Sequence, residues 1–409
     1  MSLDGAVAGW PGAMPLASVP SAMSARIVPS LSAIARRDWD LARFPDSEGW
    51  DYLGACAAAP PAAFRLSAAV VEDREGFAAG APLFALKYRL DTPLQGGALG
   101  RVCDAVAARL PGLLEWRMLG VGSPFTERCP VALSPRLPVG QQAQAMDSLL
   151  AAVEAEARRQ GASLVAFKDL APRDMAWAGP RLRAAGYVAV ESLPLAVLDL
   201  AGADSFDAYL ARLSAATRKD VRRKLKRAGK VTVDWRCSIA GLETEIAALY
   251  EETRAQSHVH YGDFEELPER YFERISEAMQ GRVAFACYRV DGVLAAFNLL
   301  FIEPERVIDK FLGMRYPLAR ENDLYAVSWM ENVRFCQRIG RRYLQTGQTA
   351  YASKLRFGSA LEPLTLMVKH RNPVLNGAIR LAAPLLSFPR WDPDLRAAAK
   401  RVATERAGA

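Results

Sequence analysis

The stretch ACYRVDGVLAAFNLLF, Ala286 to Phe301, decides the fold of this chain. Two apolar runs flank Asp291-Gly292, a dipeptide that is typical of a tight turn between antiparallel strands. We therefore predict a β-hairpin with arms at 282–290 and 293–302. Because both arms are apolar over most of their length, the hairpin is expected to lie in the buried centre of a sheet.

Strands and helices alternate on both sides of this hairpin, which predicts a mixed α/β fold (α+β, with a mixed sheet). After it, Val307 to Met314 continues the sheet, Leu324 to Ile339 forms a helix, and Arg341 to Gln345 forms a strand. Before it, the predicted elements are a long helix over Asp204 to Ala228, a strand over Val231 to Arg236, and helices over Leu242 to Gln256 and Pro268 to Met279.

The first half of the chain repeats this plan. Phe64 to Val71 and Ala81 to Leu90 form a second predicted hairpin, and the order SLVAF then GPRLRAAG corresponds to RRYLQ then YASKLRFG in the second half. A repeat this long predicts two tandem α/β domains. The predicted regions are a disordered tail at 1–25, a first domain at 26–200, a second domain at 201–370 and an apolar, helical extension at 371–409.

Composition excludes several classes of protein. No apolar run in the 409 residues approaches the length of a membrane span. The six cysteines are scattered, without a C-x-x-C pair, and there are only three histidines, so no metal site is expected. Scattered cysteines without a recognisable secretory signal are typical of a reducing compartment, and the expected location is the cytoplasm.

The net charge of +7 is concentrated in one helix, since residues 218–230 hold eight basic residues and one acid. A dense basic run favours binding of a polyanion, such as the phosphates of coenzyme A, a carrier protein, a tRNA or an anionic membrane; DNA is not expected. A solvated helix face is the alternative interpretation. The residues predicted to bind the polyanion are Arg218, Arg222, Arg223 and Lys226.

Three stretches resemble a known superfamily. The hairpin resembles the central strands of the GNAT superfamily of acyltransferases. DAYLARLSAATRKDVRRKLKRAG (Asp207 to Gly229) and GQTAYASKLRFGS (Gly347 to Ser359) resemble segments of its FemAB-like branch of tandem-GNAT bacterial acyl and aminoacyl transferases. The resemblance implies two GNAT-like domains, with the chemistry in the second.

The sequence departs from the superfamily where most members carry a glycine-rich loop for the pyrophosphate of coenzyme A. Here Gly313 to Tyr325 reads GMRYPLARENDLY, with a single glycine, so a backbone cradle is not expected. Arg315 and Arg320 are predicted to hold donor phosphate by side chain instead. The donor is expected to be an acyl-CoA or an acylated carrier protein used as co-substrate, with aminoacyl-tRNA as the alternative; no permanently bound cofactor is expected.

The candidate catalytic groups are His260, Tyr261, Asp309 and Tyr351. His260 and Tyr261 lie in a polar loop that suits general-base work, with a surface loop as the alternative. Asp309 and its neighbour Lys310 interrupt an apolar strand, and a structural ion pair or a catalytic role fits equally. Glu331 and Asn332 are expected within reach of them.

The resemblance also places residues at the end of the donor cleft. Gln348 and Lys354 are the predicted donor-binding residues there. Tyr351 is predicted to donate a proton to the leaving thiolate, with core packing as the alternative.

Together these features predict an N-acyltransferase that forms an amide between an activated, long-chain acyl donor and an amine. The acceptor is expected to be lipid-like, as in bacterial ceramide-type synthesis, or envelope-related. The apolar segment Asn372 to Phe388 fits packing or contact with the inner face of the membrane. The alternatives are an aminoacyl-tRNA-dependent transferase of peptidoglycan precursors and a non-catalytic polyanion-binding protein.

Overall fold

The computed structural model describes residues 23–43, 46–89, 115–256 and 262–398, together with residues 105 and 109. Most of the predicted N-terminal tail lies outside these ranges. The first strand begins at Ser24, two residues before the predicted start of the first domain. Two sheets with helices on their faces make up the fold.

The first half of the chain supplies most of one sheet. The predicted hairpin is present, and its turn is shorter than expected, because the strands extend to Asp73 and from Gly76. The strands of this half are β1 (Ser24–Val28), β2 (Arg65–Asp73), β3 (Gly76–Arg89), β4 (Glu115–Val121), β5 (Ala132–Leu133), β6 (Leu164–Leu170), β7 (Val188–Glu191) and β8 (Leu195–Asp199); its helices are α1 (Arg36–Arg43), α2 (Trp50–Ala57), α3 (Val139–Arg159) and α4 (Pro172–Ala184).

The second half is built around the central hairpin. Val283 to Val290 and Val293 to Ile302 pair as predicted. Its strands are β9 (Val231–Arg236), β10 (Val283–Val290), β11 (Val293–Ile302), β12 (Arg306–Met314), β13 (Tyr343–Gln345), β14 (Ala360–Glu362) and β15 (Thr365–His370); its helices are α5 (Phe206–Arg212), α6 (Ala215–Arg227), α7 (Glu243–Ala255), α8 (Tyr271–Ala278), α9 (Leu318–Glu321), α10 (Leu324–Arg338), α11 (Tyr351–Arg356) and α12 (Pro373–Leu386).

The two sheets exchange strands. The first runs in the order β1-β2-β3-β4-β6-β15-β7, with β5 paired to β3, and the second in the order β14-β8-β13-β12-β11-β10-β9. Strand β8 therefore belongs to the second sheet although it precedes residue 200, and β15 belongs to the first sheet although it follows β14. The predicted division at 200 and 370 does not match the sheets, because strand pairing depends on partners far away in the sequence.

One predicted helix is in fact two. Instead of a continuous helix from Asp204 to Ala228, α5 ends at Arg212 and α6 begins at Ala215. The break occurs because the hydroxyl of Ser214 accepts a hydrogen bond from the backbone N–H of Thr217 at 3.2 Å, which is an N-cap. The basic residues are thus confined to a separate helix that begins at this cap.

Strands β12 and β13 separate near the middle of the second sheet. They pair in parallel only from Arg306 opposite Tyr343 to Ile308 opposite Gln345, after which β12 continues alone along this edge. On its other edge the register skips one residue, because Asp309 lies opposite Leu300 and Phe311 opposite Leu299. Lys310 is thus the extra residue of a β-bulge, a feature that redirects side chains.

The halves share a core. Tyr52 and Phe64 of the first half belong to the same buried cluster as Phe297 and Phe301 of the second. Edge-to-face contacts such as Tyr52 with Phe301, at a ring distance of 5.3 Å, connect them directly. No helix in the described part of the chain combines the length and the apolar character needed to cross a bilayer.

Candidate active site

Asp309 is a carboxylate whose hydrogen-bond donors are neutral amides, at the point where β12 and β13 separate. The side-chain amides of Asn298 and Asn332 donate to its two oxygens at 2.8 and 3.0 Å. Burial raises the pKa of Asp309 to about 7, against the hydrogen bond from Asn298 and the charge of Lys354, which lower it. The residue as a whole, backbone included, is partly exposed. A carboxylate that titrates near neutrality is suited to general-base work.

Lys310 faces a different set of groups. Its ammonium donates to a carboxylate oxygen of Glu48 and to the carbonyl of Phe125, the latter at 2.9 Å. Burial alone would lower the pKa of Lys310, but the charges of Glu48 and Glu127 raise it above its usual value. The pair therefore connects the loop before α2 to the bulge of β12, and of the two predicted roles the structure places Lys310 in an ion pair.

Further polar residues join the halves beside this ion pair. The backbone N–H of Glu127 donates to Glu48 at 2.9 Å, and the amide of Gln345 donates to the carboxylate of Glu127. Arg128 in turn donates to Gln345 at 3.0 Å. Gln345 is the last residue of β13, so this network fixes the point at which the two strands separate.

Lys354 lies within the electrostatic influence of Asp309. The Lys354 ammonium donates to the carbonyls of Thr346 and Gln348, and the latter distance is 2.8 Å. Burial lowers the pKa of Lys354 to about 8, while the charges of Glu127 and Asp309 oppose that shift. The side chain of Gln348 donates to the carbonyl of Leu193 at 2.8 Å. Neither residue lines the basic cleft described below, whereas Gln348 lines the second opening described after it, and their role in donor binding stays a prediction.

Tyr351 is a core residue. It is fully buried, packs with Leu193 and Leu395, and donates its hydroxyl hydrogen to the carbonyl of Pro194 at 2.8 Å. This position favours the packing interpretation over the predicted proton transfer. Tyr325, which the sequence did not single out, lies closer to the chemistry, because it lines the basic cleft and its hydroxyl lies within the electrostatic influence of Asp309.

A cleft of about 370 Å³ opens beside the start of α10, and we call it the basic cleft. Its charged side chains are three cations and one acid, Asp323. The cations come from three separate elements, α6, α9 and α11. The residues that line the cleft are Lys224, Met314, Tyr316, Ala319, Arg320, Asp323, Tyr325, Ala326, Ser353, Arg356 and Phe357.

Most of the backbone N–H groups in the loop from Gly313 to Tyr325 are already hydrogen-bonded. Residues 318–321 form the single turn α9, and the N–H groups of residues 319–323 all donate to carbonyls within the loop. Arg320 reaches the basic cleft, as predicted, where its guanidinium lies 5.0 Å from the ring of Tyr316. Arg315 does not line the cleft, and its Nε is buried without a hydrogen-bond partner.

The four predicted polyanion-binding residues lie on α6, where two of them have hydrogen-bonding partners within the protein. Arg222 and Lys226 are exposed, whereas Arg218 donates to the carbonyl of Ala211 and Arg223 pairs with Asp220 at 2.6 Å. Lys224 and Arg356, which also pair with Asp220 at 3.2 and 2.6 Å, are the ones that line the basic cleft. Three cations therefore surround one carboxylate, and their hydrogen bonds, that of Arg223 above all, hold the pKa of Asp220 far below its usual range.

A second opening, of about 350 Å³, lies between the two halves, and we call it the apolar cavity. Its wall is largely aromatic and aliphatic, with Lys310 and Glu127 at a polar end. Lys168 and Asp169, which pair at 2.6 Å, also reach it. Residues from both halves and from the C-terminal segment line it, among them Phe84, Tyr88, Met118, Phe125, Leu193, Tyr250, Phe264, Phe311, Leu366, Val368 and Phe388.

Sequence reasoning found part of this site. His260 and Tyr261 lie outside the described residues, so their proposed catalytic role stays a prediction. Asn332 contacts Asp309 as expected, whereas Glu331 pairs with Arg334. The residues that were missed are Glu48, Glu127, Lys224, Asn298, Tyr325 and Arg356; of these, Asn298 carried a usable signal, since it is the one amide in the apolar run of β11.

Comparison with known proteins identifies the class. Residues 215–354 match the family described as an acetyltransferase (GNAT) domain. This region holds α6 to α10, β9 to β13, most of α11 and the whole surroundings of Asp309 within the second half. This part of the chain therefore matches a GNAT domain, in agreement with the resemblance predicted from the hairpin.

Solved structures extend the likeness beyond that domain. The crystal structure of FemX aligns with a TM-score of 0.55 and 13% identity, covering 85% of this chain and 98% of that one. A tandem GNAT protein from the clavulanic acid pathway aligns with a TM-score of 0.47 and 14% identity, covering 86% and 99%. A lysylphosphatidylglycerol synthetase domain from Agrobacterium fabrum aligns with a TM-score of 0.45 and 16% identity, covering 74% of this chain and 85% of that one. No curated protein matches the sequence. The likeness to FemX shows that the two chains share a fold over most of their length, as the predicted mixed α/β architecture requires.

Proposed function

We propose that this protein is an N-acyltransferase that joins an activated acyl group to an amine. The observation that carries the proposal is Asp309, a buried carboxylate with a pKa of about 7 at the separation of β12 and β13. An aliphatic amine is protonated in neutral water and cannot attack until it loses a proton. A base that titrates near neutrality removes this proton efficiently.

The reaction then follows from the groups around Asp309. The amine nitrogen transfers a proton to the carboxylate and attacks the acyl carbonyl, forming the new C–N bond. As the tetrahedral intermediate collapses, its nitrogen loses a second proton, the bond from carbon to the thiol or hydroxyl carrier breaks, and the departing group takes up one proton, so that the net proton released is the one held by Asp309. Tyr325 lines the basic cleft and Lys354 is a buried ammonium with a pKa of about 8, so either is placed to give the departing group its proton.

The basic cleft is the proposed site for the phosphates of the donor. Lys224, Arg320 and Arg356 supply positive charge there, and the start of α10 adds the positive end of a helix dipole. Beyond Ile308 the free edge of β12 exposes backbone groups that can pair with an extended, amide-containing chain. An acyl-CoA and an acylated carrier protein both carry a phosphate followed by such a chain.

The apolar cavity is the proposed site for a long hydrocarbon chain. Its lining is aromatic and aliphatic, and each buried CH₂ contributes about 0.8 kcal/mol. We therefore propose that one or both substrates are long-chain, with a lipid-like amine as the acceptor.

Replacement of the base tests the reaction. We expect Asp309→Asn to lower turnover by about 10²–10⁴-fold, the usual contribution of a general base. Donor binding, measured by calorimetry, should stay within a few-fold of wild type because the basic cleft is intact. A variant that keeps wild-type turnover would contradict the proposal, and a thermal melt verifies that the variant is folded.

The donor is tested by comparing kcat/KM across acetyl, medium-chain and long-chain acyl-CoA and an acylated carrier protein. We expect acetyl-CoA to be the poorest of the four. Lys224→Gln with Arg356→Gln should weaken all CoA donors, whereas the matched pair Arg222→Gln and Lys226→Gln should not. Best activity with acetyl-CoA would show that the altered loop still supports short donors.

A macromolecular donor is the second candidate, and the exposed face of α6 favours it. Arg222 and Lys226 are exposed and do not line the basic cleft, so they are available to a large polyanion such as a carrier protein or a tRNA. The variant Arg222→Gln/Lys226→Gln should then lower activity with the macromolecular donor alone. A strong salt dependence restricted to that donor would support the same assignment.

A further inference from the structure

Helix α12 exposes an apolar face that no described residue covers. Val374, Leu381 and Leu385 are 77, 85 and 52% exposed. Their spacing of seven and four residues, with the exposed Ala378 between them, places them on one side of the helix. Isolated exposed leucines are ordinary, but an apolar stripe along a whole helix indicates a surface that binds something.

The helix is held firmly in place by its opposite side. Ile379, Ala383 and Leu386 pack against the core shared by the two halves. The side chain of Asn372 caps the helix by accepting from the N–H groups of Val374 and Leu375 at 2.9 and 3.3 Å. The exposed stripe is therefore a fixed feature of the surface.

The charge within this segment is of one sign. Residues 371–390 contain three arginines, Arg371, Arg380 and Arg390, and no aspartate or glutamate. The neighbouring acids accept hydrogen bonds from the protein, Glu191 from Ser387, Asp392 from the N–H of Leu395 and Asp394 from the N–H of Ala352. An apolar stripe in a segment whose own charges are all arginines is complementary to an anionic lipid surface.

Trp391 extends this surface. Its side chain is partly exposed, and its indole N–H donates to the carbonyl of Leu385 at 2.8 Å, which fixes the ring beside the end of the stripe. Tryptophan is favoured at the boundary between headgroups and hydrocarbon, where one end of the ring is apolar and the other polar.

The same segment leads into the apolar cavity. Phe388, two residues after the end of α12, lines that cavity together with Leu366 and Val368 of β15. The hydroxyl of Ser387 donates to Glu191 at 2.7 Å and fixes the connection between helix and cavity. An apolar chain that left a bilayer at α12 would meet the cavity lining directly behind it.

We infer that α12 and Trp391 bind the surface of an anionic bilayer, with the helix lying in the plane of the headgroups, and that a long-chain substrate passes from the bilayer past Phe388 into the apolar cavity. The second part of this inference rests on the proposed function, whereas the first does not. At 14 residues, α12 is shorter than the roughly 20 that a span requires.

Co-sedimentation with vesicles tests the inference. The full chain should bind vesicles of phosphatidylcholine with phosphatidylglycerol and bind pure phosphatidylcholine weakly. Leu381→Glu with Leu385→Glu should lower the partition coefficient by about tenfold or more. Two leucines that the bilayer would bury are replaced by two negative charges that anionic lipid repels. Val139→Glu is the matched control, since Val139 is 83% exposed on α3 and lies outside this segment.

The outcomes separate this inference from the proposed function. Transfer to a soluble short-chain amine should be equal in wild type and Leu381→Glu/Leu385→Glu, whereas transfer to a vesicle-embedded long-chain amine should fall in that variant alone. Failure of wild type to bind anionic vesicles, or equal loss in Val139→Glu, overturns the membrane assignment. Self-association that the double variant abolishes, without vesicle binding, overturns it in favour of a second copy of the chain. Vesicle binding without any acyl transfer would instead contradict the proposed function.

Discussion

Asp309 and Lys310 are neighbours in the sequence, but their charges meet different environments. Lys310 lies against the carboxylate of Glu48, and its pKa is raised although burial alone would lower it. Asp309 receives hydrogen bonds from the neutral amides of Asn298 and Asn332, and its pKa rises to about 7. The opposite charge of Glu48 thus keeps Lys310 protonated, whereas the neutral amides around Asp309 allow that carboxylate to change its protonation state near neutral pH.

This difference distinguishes a charge with a structural role from a group that can take part in catalysis. A lysine that remains ionised throughout the physiological range can join the two halves of the molecule but cannot exchange protons with a substrate. An aspartate that is half protonated near pH 7 can exchange protons with a substrate. The bulge at Lys310 allows the two neighbouring side chains to have such separate surroundings.

The largest effect is expected from breaking the ion pair. Lys310→Met leaves Glu48 buried without its partner and should lower the free energy of unfolding by about 3–5 kcal/mol. The double variant Glu48→Gln/Lys310→Met should recover much of this loss, as measured by denaturant unfolding. Arg342→Met is the control, because Arg342 pairs with Asp199 at the surface and should change stability by about 1 kcal/mol or less. A loss that small at Lys310 would contradict the comparison.

A smaller effect is expected from pH. In the unfolded chain Asp309 ionises near its usual pKa of about 3.9, whereas in the folded protein its pKa is about 7. Between these values the folded state binds a proton that the unfolded state lacks, so the free energy of unfolding falls as pH rises, by at most about 1.4 kcal/mol per pH unit. Above pH 7 this contribution is constant.

The control for this pH dependence of the free energy of unfolding is Asp309→Asn, which should lack it. The difference between the wild-type and variant profiles therefore gives the contribution of the Asp309 carboxyl alone. Turnover of wild type should rise through the same interval, because the base is the ionised form. Activity and stability should therefore change in opposite directions between about pH 5 and 7. Parallel unfolding profiles for the two proteins would show that Asp309 is ionised throughout.

The smallest effect is expected at the amide donors. Asn332→Leu removes one hydrogen bond to the Asp309 carboxylate and should move the inflection of the pH–rate profile upward by about half a unit to one unit. Gln337→Leu is the control on the same helix, since its amide donates to the carbonyl of Ala203 instead. An unchanged inflection in Asn332→Leu would show that this amide does not set the pKa.

Much of the fold could be predicted from local signals. Asp291-Gly292 placed the central hairpin, and apolar periodicity placed most helices within a few residues. The break at Ser214 was missed, although serine is a common N-cap, because the apolar spacing continues across it. The exchange of β8 and β15 could not be predicted, since pairing between strands distant in sequence leaves no local pattern.

The candidate site was predictable to a similar degree. A charged pair in an apolar strand drew attention to Asp309 and Lys310, because buried charge requires a partner. The identity of the partner was hidden, since Glu48 lies in an unremarkable loop 262 residues away in the sequence. Tyr351 was predicted to donate a proton to the leaving thiolate, but its hydroxyl donates to the carbonyl of Pro194. A resemblance in sequence specifies a position on a helix but does not specify which hydroxyl reaches the cleft.

The exchange of strands between the sheets has a consequence for biosynthesis. Strand β15, which lies between β6 and β7 in the first sheet, ends at His370, so a ribosome must translate most of the 409 residues before that sheet can close. During synthesis the first half therefore has an incomplete sheet, and the unpaired edges of its strands favour aggregation. A gene cut at the apparent boundary near residue 200 would produce two fragments, each lacking a strand that the other encodes.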